Sequence, residues 1–236
     1  MDLAGQHTHA TLISMNEWTK EFIRLAIDSE ALRFGDFTLK SGRPSPYFFN
    51  AGQFNDGDTL GRLADCYADV IAHAVQHQGL EFDLLFGPAY KGIPLVAVVA
   101  VSLMRRHHLN VPMAYNRKEV KAHGEGGQMV GAEIKGRVLI VDDVLSGGTA
   151  FNECRPMIEQ LGASVVGLIV GFDRQERARH SNVSASGKIE ATGARMLAVA
   201  SLEDLIEQIR QSPEPTPDQA EKLSAMLAFQ SEYGVQ

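Results

Sequence analysis

The segment that most constrains this chain is Arg137 to Phe151, Arg-Val-Leu-Ile-Val-Asp-Asp-Val-Leu-Ser-Gly-Gly-Thr-Ala-Phe. Val138, Leu139, Ile140 and Val141 form an apolar run too short for a helix and rich in β-branched residues. Such a run predicts a strand buried on both faces inside a parallel sheet. It stops at Asp142 and Asp143, which places two carboxylates where the strand leaves the sheet. In open α/β sheets ligands bind in the crevice beyond the carboxyl ends of the strands. Ser146, Gly147, Gly148 and Thr149 follow at once. Small residues there let backbone N–H groups turn toward one point, two hydroxyls add donors, and a helix predicted from Ala150 to Leu161 aims its N-terminus the same way. An anion cradle then stands beside an acidic pair.

Glycine-rich turns also close ordinary βα connections, so the glycines alone do not decide between a tight turn and a phosphate site. The acidic pair narrows the choice, because carboxylates accept from a ribose diol while N–H groups hold a phosphate. The patterns G-x-x-x-x-G-K-[ST] and G-x-G-x-x-G after a strand are both missing, which argues against nucleoside triphosphate and dinucleotide folds.

With 236 residues, 44% of them apolar, the chain suits one large domain with a real core. A net charge of −7 argues against a nucleic-acid face, which needs a basic patch to neutralise phosphates. Cys66 and Cys154 both fall in helical patterns and read as core thiols, which fits a reducing cytoplasm. No stretch approaches the roughly 20 apolar residues of a membrane span, and the first fourteen residues lack a basic start followed by an apolar core. No membrane association or export is expected. Residues 1–15, with His7 and His9, read as a disordered extension without a role.

The remaining segments alternate in period. From Asn16, Trp18, Phe22, Leu25 and Ile27 predict one side of a helix ending near Leu32. Phe34 to Lys40, a turn at Ser41-Gly-Arg-Pro44, and Pro46-Tyr-Phe-Phe49 predict a hairpin or hood in which one of the adjacent rings of Phe48 and Phe49 packs inward and the other is partly exposed. A helix is expected over 58–78, with His73 and His77 on its solvated side. Phe82 to Gly87 reads as a buried strand, and Gly87-Pro-Ala-Tyr-Lys-Gly92 as the loop before a helix from Ile93 to Arg106. Lys91 in that loop is either a solvated side chain or a ligand contact. Val111 to Tyr115 is a third strand, and the segment after it, Asn116 to Gly127, concentrates three cations, His123 and three glycines. It reads either as a solvated loop or weak hairpin, or as a lid that brings positive charge to a polyanion. Further strands are expected at Ala163–Phe172 and, at an edge, Glu190–Val199. Arg174 follows the first of these, within reach of the crevice beside Asp142. A helix at Leu202–Ile209, a proline-rich connector from Ser212 to Pro217 and a terminal helix from Asp218 to Tyr233 complete the pattern. Strand and helix alternate as in an α/β domain with a central, mainly parallel sheet.

Four separated motifs then converge with the Asp-Asp segment: Phe34-Gly-Asp-Phe-Thr-Leu-Lys-Ser-Gly-Arg with Ser45-Pro-Tyr-Phe-Phe-Asn, Phe86-Gly-Pro-Ala-Tyr-Lys-Gly-Ile-Pro, Asn116-Arg-Lys-Glu-Val-Lys-Ala-His-Gly-Glu-Gly-Gly, and Phe172-Asp-Arg-Gln-Glu-Arg. Together they resemble the orotate phosphoribosyltransferases, over roughly residues 16 to 235. The resemblance implies a single phosphoribosyltransferase-type α/β domain over 16–236, with a hood at about 16–55, a core at about 56–210 and a C-terminal helix at about 218–233.

The same resemblance implies transfer of the phosphoribosyl group from phosphoribosyl pyrophosphate to orotate, with Mg²⁺ bound mainly through the diphosphate and the ribose hydroxyls. Asp142, Asp143, Val144, Leu145, Ser146, Gly147, Gly148, Thr149 and Ala150 match the part that holds ribose 5-phosphate. Lys40, Tyr90, Lys91, Arg117, Lys118, Lys121 and His123 match contacts to the donor, chiefly its diphosphate, with Lys121 and His123 assisting the leaving group. Phe48, Phe49, Ser146 and Arg174 match the orotate site. Further implications are a cis peptide between Ala89 and Tyr90 and a homodimer whose sites are shared through the 117–127 loop. Ser146 stands where the family usually has Thr, and Gly147 where Ala is common. The rival readings are a phosphoribosyltransferase for another base and a non-catalytic sensor of phosphoribosyl pyrophosphate. A nucleic-acid-binding sensor should carry an added basic segment and could drop the loop, whereas this chain has the loop and lacks the segment.

Overall fold

The computed structural model describes residues 15–39, 41–121, 127–177, 183–211 and 216–234. Six strands form the main sheet in the order β5-β4-β3-β6-β7-β8: β3 (Leu84–Gly87), β4 (Met113–Lys121), β5 (Gly127–Gly131), β6 (Arg137–Leu145), β7 (Ser164–Asp173) and β8 (Arg195–Ser201). Every neighbouring pair is parallel except β4 with β5. Helices cover both faces: α1 (Glu17–Asp28), α2 (Gly57–Gln78) and α3 (Gly92–His107) on one, α4 (Thr149–Glu159) and α5 (Ala185–Glu190) on the other. Strand residues therefore face apolar cover on both sides, which is why Val138 to Val141 are all fully buried. Cys66 and Cys154 are buried thiols whose pKa burial pushes up to about 12, as core packing requires.

The amino-terminal hood is a separate antiparallel pair, β1 (Leu32–Thr38) and β2 (Pro44–Phe49). It is fastened to the sheet by aromatic packing: Tyr47 meets Phe172 edge-on at 5.9 Å and Phe49 stacks on it at 5.4 Å. The terminal helices α6 (Leu202–Arg210) and α7 (Pro217–Tyr233) close the same side, with Phe229 of α7 edge-on to Tyr47. The capping boxes Asp56/Thr59, Ser201/Asp204 and Thr216/Gln219 set the starts of α2, α6 and α7.

Several expected boundaries move. α1 ends at Asp28, and Glu30 (φ 56) turns the chain so that Leu32 opens β1. The buried stripe of α1 includes Thr19, Phe22, Ile23 and Ala26, an i, i+3, i+4, i+7 pattern, which leaves Ile27 43% exposed. His73 is half-buried against Trp18 at 5.3 Å instead of solvated. The edge strand begins only at Arg195, because Ser184 caps α5 through Gly187 N–H and Gly193 (φ 84) turns the chain back. The charged segment after Tyr115 takes the hairpin form as far as Lys121, with β5 pairing at Asn116 and Lys121 across a register shift. The expected extension loses its last residue, because Met15 packs in the core.

Candidate active site

Because β3, β6 and β7 are parallel neighbours, their carboxyl ends lie on one edge of the sheet. The loop after β3 carries Tyr90 and Lys91, β6 ends in the acidic and glycine-rich segment, and Arg174 follows β7. Three motifs far apart in the chain thus meet by topology alone.

The acidic pair sits within β6 and not beyond it. Asp142 pairs in register with Val170, and Leu145 with Asp173, because β7 runs alongside for the whole length. The pair is therefore drawn partly into the sheet: Asp143 is 9% exposed and Asp142 half-buried. Asp142 Oδ1 accepts the N–H of Asp143, and Asp143 Oδ1 accepts that of Val144, both at 2.9 Å. Lys91 Nζ reaches Asp143 Oδ2 at 2.7 Å, so the β3 loop and β6 are joined by an ion pair whose lysine end stays 56% exposed. Burial first, and then the charge of Asp143, push the Asp142 carboxyl up to about 7.

Beyond the pair, Leu145 is core and can offer a ligand only its backbone, while Val144 packs partly against the same sheet. Ser146, Gly147 and Thr149 are exposed, with Gly148 and Ala150 half-buried. Gly148 adopts φ 74 and opens α4 with no side-chain cap, so the first N–H groups of that helix remain available to an anion.

The β3 loop is shaped by close approach. A Cβ on Gly87 would lie 2.2 Å from the Gly92 carbonyl oxygen, which only glycine permits. The Ala89–Tyr90 peptide is cis, as the resemblance implied. Asn116, a buried β4 residue that sequence reading passed over, accepts Ala89 N–H at 2.9 Å and holds the loop. Tyr67 was also missed as more than a core residue: its hydroxyl donates to the Asp142 carbonyl at 2.8 Å. Its signal is Gly171, where a Cβ would stand 2.7 Å from that hydroxyl. Tyr90 is 56% exposed and donates to Glu119 at 3.3 Å, while Lys118 Nζ lies 5.1 Å from its ring centre. Arg117 is half-buried on the same arm.

The two hood aromatics divide as expected. Phe49 is core, stacked on Phe172, and lines a cavity of about 130 Å³ that also touches Lys91, Asp143 and Gly171. Phe48 is half-buried, 5.5 Å from Phe37, with Arg33 over both rings. Arg174 is placed less openly than expected. It is 5% exposed, lies over Tyr47 at 4.4 Å, pairs through Nε with Glu176 Oε1 at 2.5 Å, and donates from Nη2 to Ser45 Oγ at 3.3 Å. Lys40 and His123 fall outside the described residues, as does the side chain of Lys121.

Comparison with known proteins agrees with this geometry. Residues 59–194 match the phosphoribosyl transferase domain family. The orotate phosphoribosyltransferase of Aeromonas salmonicida is 45% identical over 94% of this chain and all of its own, and that of Escherichia coli 46% with the same coverage. The chain belongs to the orotate phosphoribosyltransferase family. Among solved structures, the family member from Francisella tularensis has a TM-score of 0.78 at 39% identity, covering 90% of this chain and 98% of its own. The family's α/β architecture, with its added amino-terminal elements, is the one seen here.

Proposed function

We infer that this chain transfers the 5-phosphoribosyl group from phosphoribosyl pyrophosphate to N1 of orotate, giving orotidine 5′-monophosphate and pyrophosphate in pyrimidine synthesis. The observation that carries the reading is the meeting, on one sheet edge, of an uncapped helix start, a carboxylate pair tied to Lys91, and an arginine buried beneath the hood. The first suits a 5-phosphate, the second a ribose diol beside a diphosphate, and the third a carboxylate on a flat ring.

In this reading Asp142 and Asp143 accept from the ribose hydroxyls, and backbone N–H groups from Ser146 to Ala150, with the Ser146 and Thr149 hydroxyls, hold the 5-phosphate. Lys40, Tyr90, Lys91, Arg117, Lys118, Lys121 and His123 serve the diphosphate. Phe48, Phe49, Ser146 and Arg174 serve orotate. Ring N1 attacks C1 as the C1–O bond breaks and gives up its proton, which the departing diphosphate takes, so positive charge grows on the ribose and negative charge on the diphosphate before that transfer. The loop cations stabilise what develops late, Lys121 and His123 assist departure, and a closed loop excludes water.

The donor set fits Mg²⁺ brought mainly by the substrate. Asp142 and Asp143 are hard oxygen donors, yet each already accepts a backbone N–H and Asp143 also holds Lys91. No group of three or more His, Cys, Asp or Glu gathers as a metal site among the described residues. Asp142 and Asp143 would then supply few of the ion's oxygen ligands, and the substrates and water most of them. When bound, Mg²⁺ neutralises the leaving diphosphate. Orotate consumption followed by absorbance, with phosphoribosyl pyrophosphate and Mg²⁺, tests the whole assignment. Turnover of hypoxanthine, adenine or uracil in its place, or of no base at all, overturns it.

A cytoplasmic location follows from the substrates, and no helix among the described residues is long and apolar enough to cross a membrane. Nucleic acid has no part in this reading. A homodimer does. Along α3 the apolar residues Ala97, Val101 and Met104 recur at i, i+4 and i+7 and stand exposed, Val101 by 56% and Met104 by 46%, a stripe that a second copy would cover. Lys118 and Glu119 contact Tyr90 of their own chain, so sharing falls to the rest of the 117–127 loop, and to Lys121 in particular. Lys121→Ala should then inactivate the neighbour's site and Asp143→Asn its own, leaving each homodimer nearly dead. After equal amounts exchange subunits, half the dimers are hybrids with one sound site, and activity should return to about a quarter of wild type. No recovery after verified exchange means that the loop serves its own subunit.

A further inference from the structure

Arg174 does not stand alone. Its Nε edge is taken by Glu176 Oε1 at 2.5 Å and its Nη2 by Ser45 Oγ at 3.3 Å, while the Tyr47 ring covers one face at 4.4 Å. Nη1 carries no hydrogen bond among the described residues. A guanidinium held in this way keeps its outer fork for a planar anion, and the groups on its inner edge fix where that fork points.

The inner partner is itself shared. Arg43, at the hood turn, donates from Nη1 to Glu176 Oε2 at 3.1 Å and from Nη2 to the Arg177 carbonyl at 3.0 Å, with its guanidinium 5.3 Å from the Tyr233 ring centre. Glu176 is 8% exposed, and its two oxygens serve one arginine each. Its backbone bridges Gly234, and Arg177 N–H donates to the Tyr233 carbonyl at 2.8 Å. Glu176 therefore joins the hood turn and the carboxyl end of β7 through its carboxylate, and the end of α7 through its backbone. The Tyr47 hydroxyl is buried and makes no hydrogen bond among the described residues, so Tyr47 meets Arg174 through its ring alone.

We propose that Glu176 is the positioning residue for orotate: by dividing its carboxylate between Arg174 and Arg43, it aims the Arg174 fork at the substrate carboxylate and makes that aim depend on the hood and the last turn of α7. Glu176 does not touch the substrate. Its effect passes through Arg174 and reaches only the base. This rests on the reading in which Arg174 binds orotate.

Glu176→Gln keeps the shape and one acceptor oxygen but removes the charge that holds both arginines. In steady-state kinetics with both substrates varied, the KM for orotate should rise ten-fold or more, while kcat and the KM for phosphoribosyl pyrophosphate stay within about two-fold. Arg43→Gln leaves Arg174 and Glu176 paired but unties Glu176 from the hood turn, and the orotate KM should rise by two- to five-fold. It supplies the test should Glu176→Gln not fold. An unchanged orotate KM in either folded variant overturns the proposal, as does an equal rise for both substrates. If Arg174→Ala loses orotate and Glu176→Gln does not, the functional reading stands and only this inference falls. If wild type does not use orotate, the functional reading itself has failed.

Discussion

Asp142→Asn is expected to lower turnover about 100-fold and at the same time to raise the melting temperature above neutral pH. The activity loss follows from the ribose diol losing its charged acceptor, worth about 3 kcal/mol for two charge-assisted hydrogen bonds. The stability gain follows from the carboxyl being pushed up to about 7 from an ordinary 3.8, first by burial and then by Asp143. Because the folded protein holds this proton more tightly than the unfolded chain, stability is full below about pH 4 and is lost as pH rises toward 7. Asparagine cannot ionise, and its Oδ1 can still accept the Asp143 N–H. The variant should gain about 1–3 kcal/mol at pH 8, a melting shift of roughly 3–10 °C, and nothing at pH 4. Thermal unfolding at the two pH values, beside kcat, decides the matter. A melting temperature that falls together with activity at pH 8 would make Asp142 a structural residue.

Arg174→Ala should separate the substrates. Removing one charge-assisted pair lowers kcat/KM for orotate by roughly 10- to 150-fold, for about 1.5–3 kcal/mol, while phosphoribosyl pyrophosphate binding stays near wild type. The structure adds a cost that an exposed arginine would not have. Arg174 is buried against Glu176, and breaking a buried pair destabilises by about 3 kcal/mol, less whatever Arg43 recovers by keeping Glu176 Oε2. A lower melting temperature with donor binding intact fits both halves of the expectation. Equal losses for the two substrates, measured by calorimetry on the folded variant, remove Arg174 from the orotate site.

Local patterns located what local physics controls. The β-branched run before Asp142 marks a doubly buried strand because only a parallel sheet covers both faces, and β6 is one. Gly148 and the uncapped start of α4 lie where glycines after a strand place them. The alternation of Tyr47, Phe48 and Phe49 already implied one inward and one outward ring of the adjacent pair, since strand side chains alternate. The four separated motifs also carried the family, because each keeps a backbone turn or a charged group at fixed spacing.

What the chain could not announce locally depends on partners distant in sequence. β6 runs on through the acidic pair because β7 offers it ladder partners to Asp173, and β4 continues through the charged segment because β5 pairs with it. Asn116, Tyr67 and Glu176 look ordinary in their own windows and acquire roles only through Ala89, Asp142 and the two arginines. Asp142 carries its raised proton affinity for the same reason, since dielectric and neighbouring charge are properties of a packed site. Sequence determined which strand, which turns and which charged groups this protein would use, because backbone preference and hydrophobic period act over a few residues. Only the tertiary structure decided that the neighbours Arg174 and Glu176 are buried together and that Glu176 is shared with Arg43, because the contacts to Arg43 and Ser45 join segments more than a hundred residues apart.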